Sequence, residues 1–350
     1  MIYSELNNAF LSCLNRYEKG QICIVADKNL IRHKEWMAAR PLQELPVLWL
    51  KVNEADKSIE TVMQIWDFLL EHELTRRGLL LCIGGGVLTD TCGFAAATYK
   101  RGIDYINVPT TLLGMIDASS GGKTGINYRG LKNAIGVFAN PVETIIYPGW
   151  LTTLPSDQFL SGFGEMLKTG LITNCQKREG SSLWERLLQY DLETMEIQSL
   201  TPLIESCVSA KEEIVNTDPH ERGLRKILNF GHTFGHALEE IQMNDEPSKW
   251  PHGYAVLYGL IAELYLSVVK LGCPKTPLQQ LTQVMLHYYG KPQCKCSDYK
   301  RLIGFMKQDK KNEHADEINC TLIRAVGSPV INQKVSENEA KEAFDYLFSL

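Results

Sequence analysis

Up to about residue 150 the chain repeats short, continuous apolar runs, at Ile22–Val25, Val47–Val52, Leu79–Ile83, Tyr105–Val108 and Thr144–Tyr147. Runs of this length that do not alternate with polar residues suit strands buried on both faces. Between the second and third runs, Lys57–Glu73 spaces its apolar residues at helical intervals. This alternation predicts an open, mainly parallel α/β sheet, a fold whose ligands sit at the carboxyl ends of the strands. From about Pro155 onward the strand-like runs nearly vanish. Helical patterns then occupy Phe163–Thr173, Trp184–Tyr190, Thr201–Val215, Leu224–Ile241 and Gly253–Leu271. The expectation is an α/β domain over residues 1–152 and a mainly α-helical domain over 153–350, sharing one cleft, with the boundary between Tyr147 and Pro155.

The bulk numbers fit this division. A chain of 350 residues is longer than one hydrophobic core usually supports, and 44% hydrophobic with 22% charged residues is an ordinary globular composition. A net charge of −5 argues against a general nucleic-acid or membrane surface, so an anionic ligand must meet a local cluster of Lys and Arg. Met1–Phe10 lacks the basic and then apolar order of a signal peptide. The longest apolar run, Ala255–Val269, is interrupted by Glu263 and closed by Lys270, which reads as a buried helix. Ten cysteines are scattered without a CxxC pair, only Cys294 and Cys296 lying close, as expected of reduced thiols in a cytoplasmic protein.

Three stretches carry candidate chemistry. Leu79–Ile83 runs into Gly84, Gly85 and Gly86, with a helical segment beginning near Asp90. A strand, a glycine turn and a helix N-terminus let backbone amides approach a pyrophosphate, although the spacing is not GxGxxG and a simple tight turn has the same pattern. Ser119-Ser120-Gly121-Gly122-Lys123-Thr124 resembles the end of a P-loop, but Asp117 stands where its first glycine belongs. What remains is a turn presenting Lys123, with Lys132 and Asn133 following, suited either to a phosphate or carboxylate or to plain solvation as a surface hairpin. His232 and His236, four residues apart, share one helix face; His252 and Glu165 complete a candidate metal set with an open coordination position. Thr233 occupies the place of the catalytic glutamate of HExxH, which argues against a metalloprotease. Lys168, Lys211, Glu221, Arg225 and Asn229 surround these residues in a charged set that needs partners if buried.

Taken in order, the segments resemble the 3-dehydroquinate synthase family, within the sugar-phosphate cyclases. The matching stretches are Gly84-Gly85-Gly86-Val87 with Asp90, Tyr99-Lys100-Arg101-Gly102, Val108-Pro109-Thr110-Thr111-Leu112-Leu113, and Asp117 through Lys123-Thr124 to Lys132-Asn133-Ala134-Ile135-Gly136. They continue through Thr153-Leu154-Pro155, Gly164-Glu165 with Lys168, Gly223-Leu224-Arg225 with Leu228-Asn229, Gly231-His232-Thr233-Phe234-Gly235-His236, His252-Gly253, and Asp309-Lys310-Lys311. The resemblance implies an NAD-binding α/β domain and a helical zinc domain, with Co²⁺ an alternative metal. It implies Glu165, His232 and His252 as metal ligands, and Asp27, Glu54, Lys57, Gly85, Gly86, Asp90, Thr110, Thr111, Lys123 and Lys132 as NAD contacts. Its substrate set is Asp117, Lys123, Asn133, Lys168, Lys211, Glu221, Arg225, Asn229, His236 and Lys310, with Arg101 reaching the phosphate of a second subunit in a homodimer.

The activity so implied is conversion of 3-deoxy-D-arabino-heptulosonate 7-phosphate to 3-dehydroquinate and phosphate, in the shikimate route to chorismate and aromatic amino acids. NAD is oxidant and then reductant within one turnover, around phosphate elimination, ring opening and an intramolecular aldol closure. Arg225 and Lys211 suit the substrate carboxylate, and Lys123, Asn229, His236, Lys310 and Arg101 its phosphate. The alternatives are another sugar-phosphate cyclase, of the valiolone or deoxy-inosose type, and an NAD-dependent metal alcohol dehydrogenase of the same fold. Retention of Lys211 and Arg225 favours the carboxylate-bearing substrate, while a catalytically dead scaffold would have no need of the metal set. The chain departs from the family at Thr89, Ala118, Gly125, Leu131 and Tyr254. The last stands where a glutamate usually follows His-Gly, so either His252 loses an orienting carboxylate or another acceptor replaces it.

Overall fold

The computed structural model describes residues 1–32, 39, 42–118, 121–129, 131–173, 180–245, 250–292, 294, 296–308 and 317–350. The chain forms two compact units, Met1–Leu154 and Pro155–Leu350.

In chain order the first unit contains α1 (Leu6–Leu14), β1 (Ile22–Asp27), β2 (Val47–Leu50), α2 (Ile59–Glu71), β3 (Leu79–Gly84), α3 (Gly86–Thr98), β4 (Asp104–Pro109), β5 (Lys123–Tyr128), β6 (Leu131–Phe138) and β7 (Glu143–Thr144). Five strands make one sheet in the order β2-β1-β3-β4-β7, every pair parallel. The central β3 is buried throughout, as its unbroken LLLCIG run requires. Val62, Ile65 and Leu69 of α2 and Cys92, Ala95 and Ala96 of α3 pack with Val25, Leu80 and Cys82 of the sheet.

The structure corrects the sequence pattern at three places in this unit. The segment Thr144–Tyr147 joins the sheet only through Glu143 and Thr144, while Ile146 leaves it to bridge Ile2. The helix expected near Asp90 starts at Gly86, directly after the glycine turn, so its free amide end faces the turn itself. Lys123 is not in a loop: it opens β5, which pairs antiparallel with β6 as a separate hairpin. Residues 119–120 of the second glycine-rich stretch lie outside the described residues.

The second unit contains α4 (Ser156–Ile172), α5 (Leu183–Gln189), α6 (Ile197–Thr217), α7 (His232–Asp245), α8 (His252–Leu271), α9 (Lys275–Val284), α10 (Tyr299–Lys307), β8 (Ile318–Ile323), β9 (Pro329–Val335) and α11 (Glu337–Ser349). The apolar helix α8 is long enough to cross a bilayer, but 67% of its apolar window is buried inside the protein. Its burial follows from an apolar surface all round, with the fully buried Val256, Leu257, Leu260, Ile261 and Leu264. The helix expected over Leu224–Ile241 is two elements, a 3-10 turn over Leu224–Asn229 and then α7, broken at Gly231, whose φ of +80° a side chain would strain. The antiparallel pair β8-β9 has no counterpart in the sequence pattern, because its polar residues interrupt the apolar run that would announce a buried strand.

Glycines set how closely the helices of this unit approach. A Cβ built at Gly253 of α8 would lie 1.8 Å from the Ser161 carbonyl of α4, and one at Gly164 of α4 would lie 2.5 Å from the Gly253 carbonyl. On the other side of α8, a Cβ at Gly259 would lie 1.9 Å from the Gly231 carbonyl, and one at Gly235 2.9 Å from the Ala255 carbonyl. Three helices therefore meet backbone to backbone at positions adjacent in sequence to Glu165, His232, His236 and His252.

Candidate active site

The tight crossing of α4 on α8 puts Glu165 beside His252, and the crossing of α7 on α8 brings in His232. One ligand atom from each of these three lies within 4.8 Å of the others. His232 Nε2 and His252 Nε2 are 3.5 and 3.4 Å from Glu165 Oε1, and Lys168 Nζ is 2.5 Å from Glu165 Oε2. The His236 ring, one turn along α7, lies 5.3 Å from His232 and 6.2 Å from His252 by ring centroids. Two imidazoles and a buried carboxylate form a donor set that suits Zn²⁺ or Co²⁺ with a coordination position left for substrate.

The partners of the other ring nitrogens fit that role. His232 Nδ1 lies 3.2 Å from the Phe230 carbonyl, and His252 Nδ1 lies 2.9 Å from Glu239 Oε1. Each contact fixes a ring and leaves Nε2 directed at Glu165. Burial of His252 opposes its protonated form, yet the carboxylates of Glu239 and Glu165 outweigh it and push the imidazole pKa up to about 10. Glu239 thus takes the place of the carboxylate missing at Tyr254, whose ring packs instead on Tyr289 at 4.8 Å. Nothing in the sequence singles out Glu239, since it stands thirteen residues from its partner on another helix.

In the same unit Lys168, paired with Glu165, and Lys211 and Arg225 are 2%, 6% and 3% exposed, so three positive charges are buried there. Arg225 follows a loop organised by Asp218, whose carboxylate accepts from the amides of Arg222, Gly223 and Arg225. The amides of Gly223 and Arg222 hold that carboxyl below its ordinary pKa. Arg225 Nη1 donates to the Pro219 carbonyl at 2.7 Å, and Asn229 Nδ2 donates to Glu221 Oε1 at 2.8 Å. Glu221 sits at φ +56°, an uncommon backbone state for a glutamate. Lys310 lies outside the described residues.

A second group gathers in the first unit at the carboxyl ends of the parallel strands. Thr110 N donates to the Gly84 carbonyl at 3.0 Å, and a Cβ at Gly85 would meet Thr111 Cγ2 at 3.2 Å, so the threonines after β4 flank the glycine turn. Asp27, ending β1, lies against Gly84 with its carboxyl pKa raised by burial. Lys57, 4% exposed, donates to Asp90 Oδ2 and to Asn133 Oδ1, both at 2.6 Å. Glu54 accepts from Asn127 Nδ2, and Asn133 N donates to Asn127 Oδ1. The structure therefore brings together Asp27, Gly85, Gly86, Thr110 and Thr111 around the turn, and Glu54, Lys57, Asp90 and Asn133 beside the first turn of α3.

Lys123 is exposed at the start of β5, Lys132 is half-buried on β6, and Asp117 is half-buried in a π turn over Gly114–Ala118. Arg101 is exposed at φ +70°, next to Lys100 at φ +48°. Tyr99 Oη and Lys100 Nζ both donate to the Leu74 carbonyl and anchor this turn, which presents Arg101 outward. Thr89, a departure from the family, is fully buried and donates its hydroxyl to the Gly86 carbonyl, which closes the first turn of α3.

Comparison with known proteins extends the resemblance over nearly the whole chain. The family model for the 3-dehydroquinate synthase N-terminal part matches residues 47–161, and that for the C-terminal part matches 162–312. A 3-dehydroquinate synthase of Parabacteroides distasonis is 41% identical over 98% of this chain and 94% of its own. That of Pelagibacter ubique is 32% identical over 95% and 92%. Among solved structures, the 2-epi-5-epi-valiolone synthase ValA of Streptomyces hygroscopicus, with NAD⁺ and Zn²⁺ bound, superposes with a TM-score of 0.85 at 26% identity, covering 99% of this chain and 95% of that one. A 2-deoxy-scyllo-inosose synthase carrying carbaglucose-6-phosphate, NAD⁺ and Co²⁺ shares the fold, with a TM-score of 0.82 at 22% identity over 95% and 93%. With both halves matched in order and a relative this similar end to end, the chain belongs to the 3-dehydroquinate synthase family.

Proposed function

We propose that this protein converts 3-deoxy-D-arabino-heptulosonate 7-phosphate to 3-dehydroquinate and inorganic phosphate, a carbon-oxygen lyase reaction of the shikimate pathway, using NAD⁺ and a divalent metal, Zn²⁺ or Co²⁺. The observation that carries this reading is the Glu165, His232 and His252 cluster in a chain 41% identical to a 3-dehydroquinate synthase over 98% of its length. A metal site alone would serve many alcohol dehydrogenases; the match to 3-dehydroquinate synthases through both halves of the chain favours the phosphorylated sugar acid, whose carboxylate and phosphate Arg and Lys side chains suit.

In this reading Glu165, His232 and His252 hold the metal, and the glycine turn with Asp27, Glu54, Lys57, Asp90, Thr110, Thr111, Lys123 and Lys132 receives the dinucleotide. Bound metal supplies Lewis acidity toward the substrate hydroxyls, and bound NAD⁺ supplies the transient oxidation that acidifies the neighbouring carbon. Arg225 and Lys211 orient the carboxylate. Asn229, His236, Lys123 and Lys310 hold the phosphate, joined by Arg101 of a second copy in a cytoplasmic homodimer. Asp117, Asn133, Lys168 and Glu221 orient the ring hydroxyls, so the protein contributes mainly position and charge.

The test is incubation with the heptulosonate phosphate, NAD⁺ and Zn²⁺, following phosphate and the carbocycle together. Matched release of both, abolished by a chelator and by His232→Ala, is expected. A second reading, a cyclase acting on a heptulose phosphate without the carboxylate, is favoured by the likeness to ValA. Turnover of that sugar and not of the acid, by protein that binds metal and NAD⁺, would replace the first reading with the second.

A further inference from the structure

The β5-β6 hairpin is irregular at one place. Ile126 pairs with Ile135 and Tyr128 with Leu131, so the single residue Asn127 on β5 faces Lys132, Asn133 and Ala134 on β6. The bulge turns Asn133 into the left-handed region at φ +48°. Bulges re-aim side chains, and one that stores backbone strain must be held by its surroundings.

Asn127 is what holds it. Its Oδ1 accepts from the Asn133 backbone amide at 2.8 Å. Its Nδ2 donates both to the Glu54 carbonyl and to Glu54 Oε1, at 2.9 Å each. Its own amide donates to the Lys57 carbonyl at 2.7 Å. Only an asparagine-length amide combines two donors with an acceptor in this geometry: aspartate cannot donate, and glutamine is one methylene too long.

We infer that Asn127 is a positioning residue that sets Asn133 for the sugar substrate through its carbonyl oxygen and Glu54 for the dinucleotide through its amide nitrogen. The inference rests on the proposed function for what those two neighbours bind. It assigns the two ligands to separate atoms of one side chain, which two substitutions can tell apart.

Asn127→Asp keeps the acceptor for the Asn133 amide and sets a carboxylate against Glu54. The NAD⁺ dissociation constant, measured by fluorescence titration, should rise about tenfold while the KM for the heptulosonate phosphate stays within about twofold. Asn127→Ala removes all three side-chain hydrogen bonds and should raise both constants about tenfold, with kcat less affected. Circular dichroism and the thermal midpoint of each variant accompany the titrations. A fall in midpoint with both constants unchanged reduces Asn127 to a structural residue and overturns the inference, as does an equal rise of both constants in Asn127→Asp. If wild-type protein binds NAD⁺ without turning over the acid, the proposed function fails alone and the NAD⁺ titrations still decide the Glu54 arm. Wild-type protein that does not bind NAD⁺ overturns both.

Discussion

Glu239 Oε1 lies 2.9 Å from His252 Nδ1, a carboxylate from α7 steadying the imidazole at the first position of α8. A carboxylate on the far nitrogen of a ligating histidine fixes ring orientation and raises its donor strength. Glu239→Gln keeps the shape and removes the charge, and should weaken Zn²⁺ binding about 10- to 100-fold in competition with a chelating dye. An affinity equal to wild type would mean that Tyr254 or water carries the role.

Gly253 allows no side chain, because a Cβ there would sit 1.8 Å from the backbone carbonyl of Ser161. A backbone obstacle cannot rotate away, so Gly253→Ala should cost about 3 kcal/mol or more in urea unfolding and lower metal affinity together with stability. Gly304 in α10 is the control: nothing lies within 4 Å of the place a Cβ would take, and Gly304→Ala should be neutral or stabilising by about 0.5 kcal/mol.

Glu263, fully buried on α8, accepts from the amides of Gly231 at 2.7 Å and Thr233 at 3.2 Å. It caps the N-terminus of α7, where the helix dipole favours negative charge. Glu263→Ala strands two buried amides and should destabilise the protein by about 3 kcal/mol, measured by denaturant titration. A loss under about 1 kcal/mol would contradict the capping account.

Glu339 ties α11 to α8 through Lys270 Nζ at 2.5 Å and accepts from the Ser336 amide. The Lys270 bond, then the Ser336 amide, pull its pKa from 4.5 down to about 2. A depressed folded-state pKa gives stability that is complete above the ordinary carboxylate range and lost as pH falls through about 2. Glu339→Gln should therefore lower the melting temperature by about 2 °C near neutrality, with wild type and variant converging as the pH approaches the acid end of that window. A constant gap at all pH values would assign the effect to packing.

The sequence announces what depends on short-range order. Uninterrupted runs such as Leu79–Ile83 mark strands buried on both faces, and His232, His252 and Glu165 stand in motifs whose residue types limit the chemistry. Contacts made across elements are not legible there. Nothing local marks Glu239 as the partner of His252, Glu263 as the cap of α7, or Asn127 as the clamp on Asn133, because each pairing exists only once helices cross or a hairpin slips register. The break at Gly231 is hidden for a related reason: apolar residues continue at helical spacing on both sides of it, and only the backbone turns.

Glu263 and His252 belong to one helix, and Glu263 grips the start of the helix that carries His232. The two imidazoles are thereby fixed relative to each other by hydrogen bonds and glycine-tight packing that involve no ion. Small zinc domains use the metal as their fold's nucleus and collapse without it. Here the contacts that set the two imidazoles are made between protein groups, so metal capture is expected to draw little on folding. Chelation should yield an inactive protein that keeps its helical circular dichroism and regains its ion within the time of mixing.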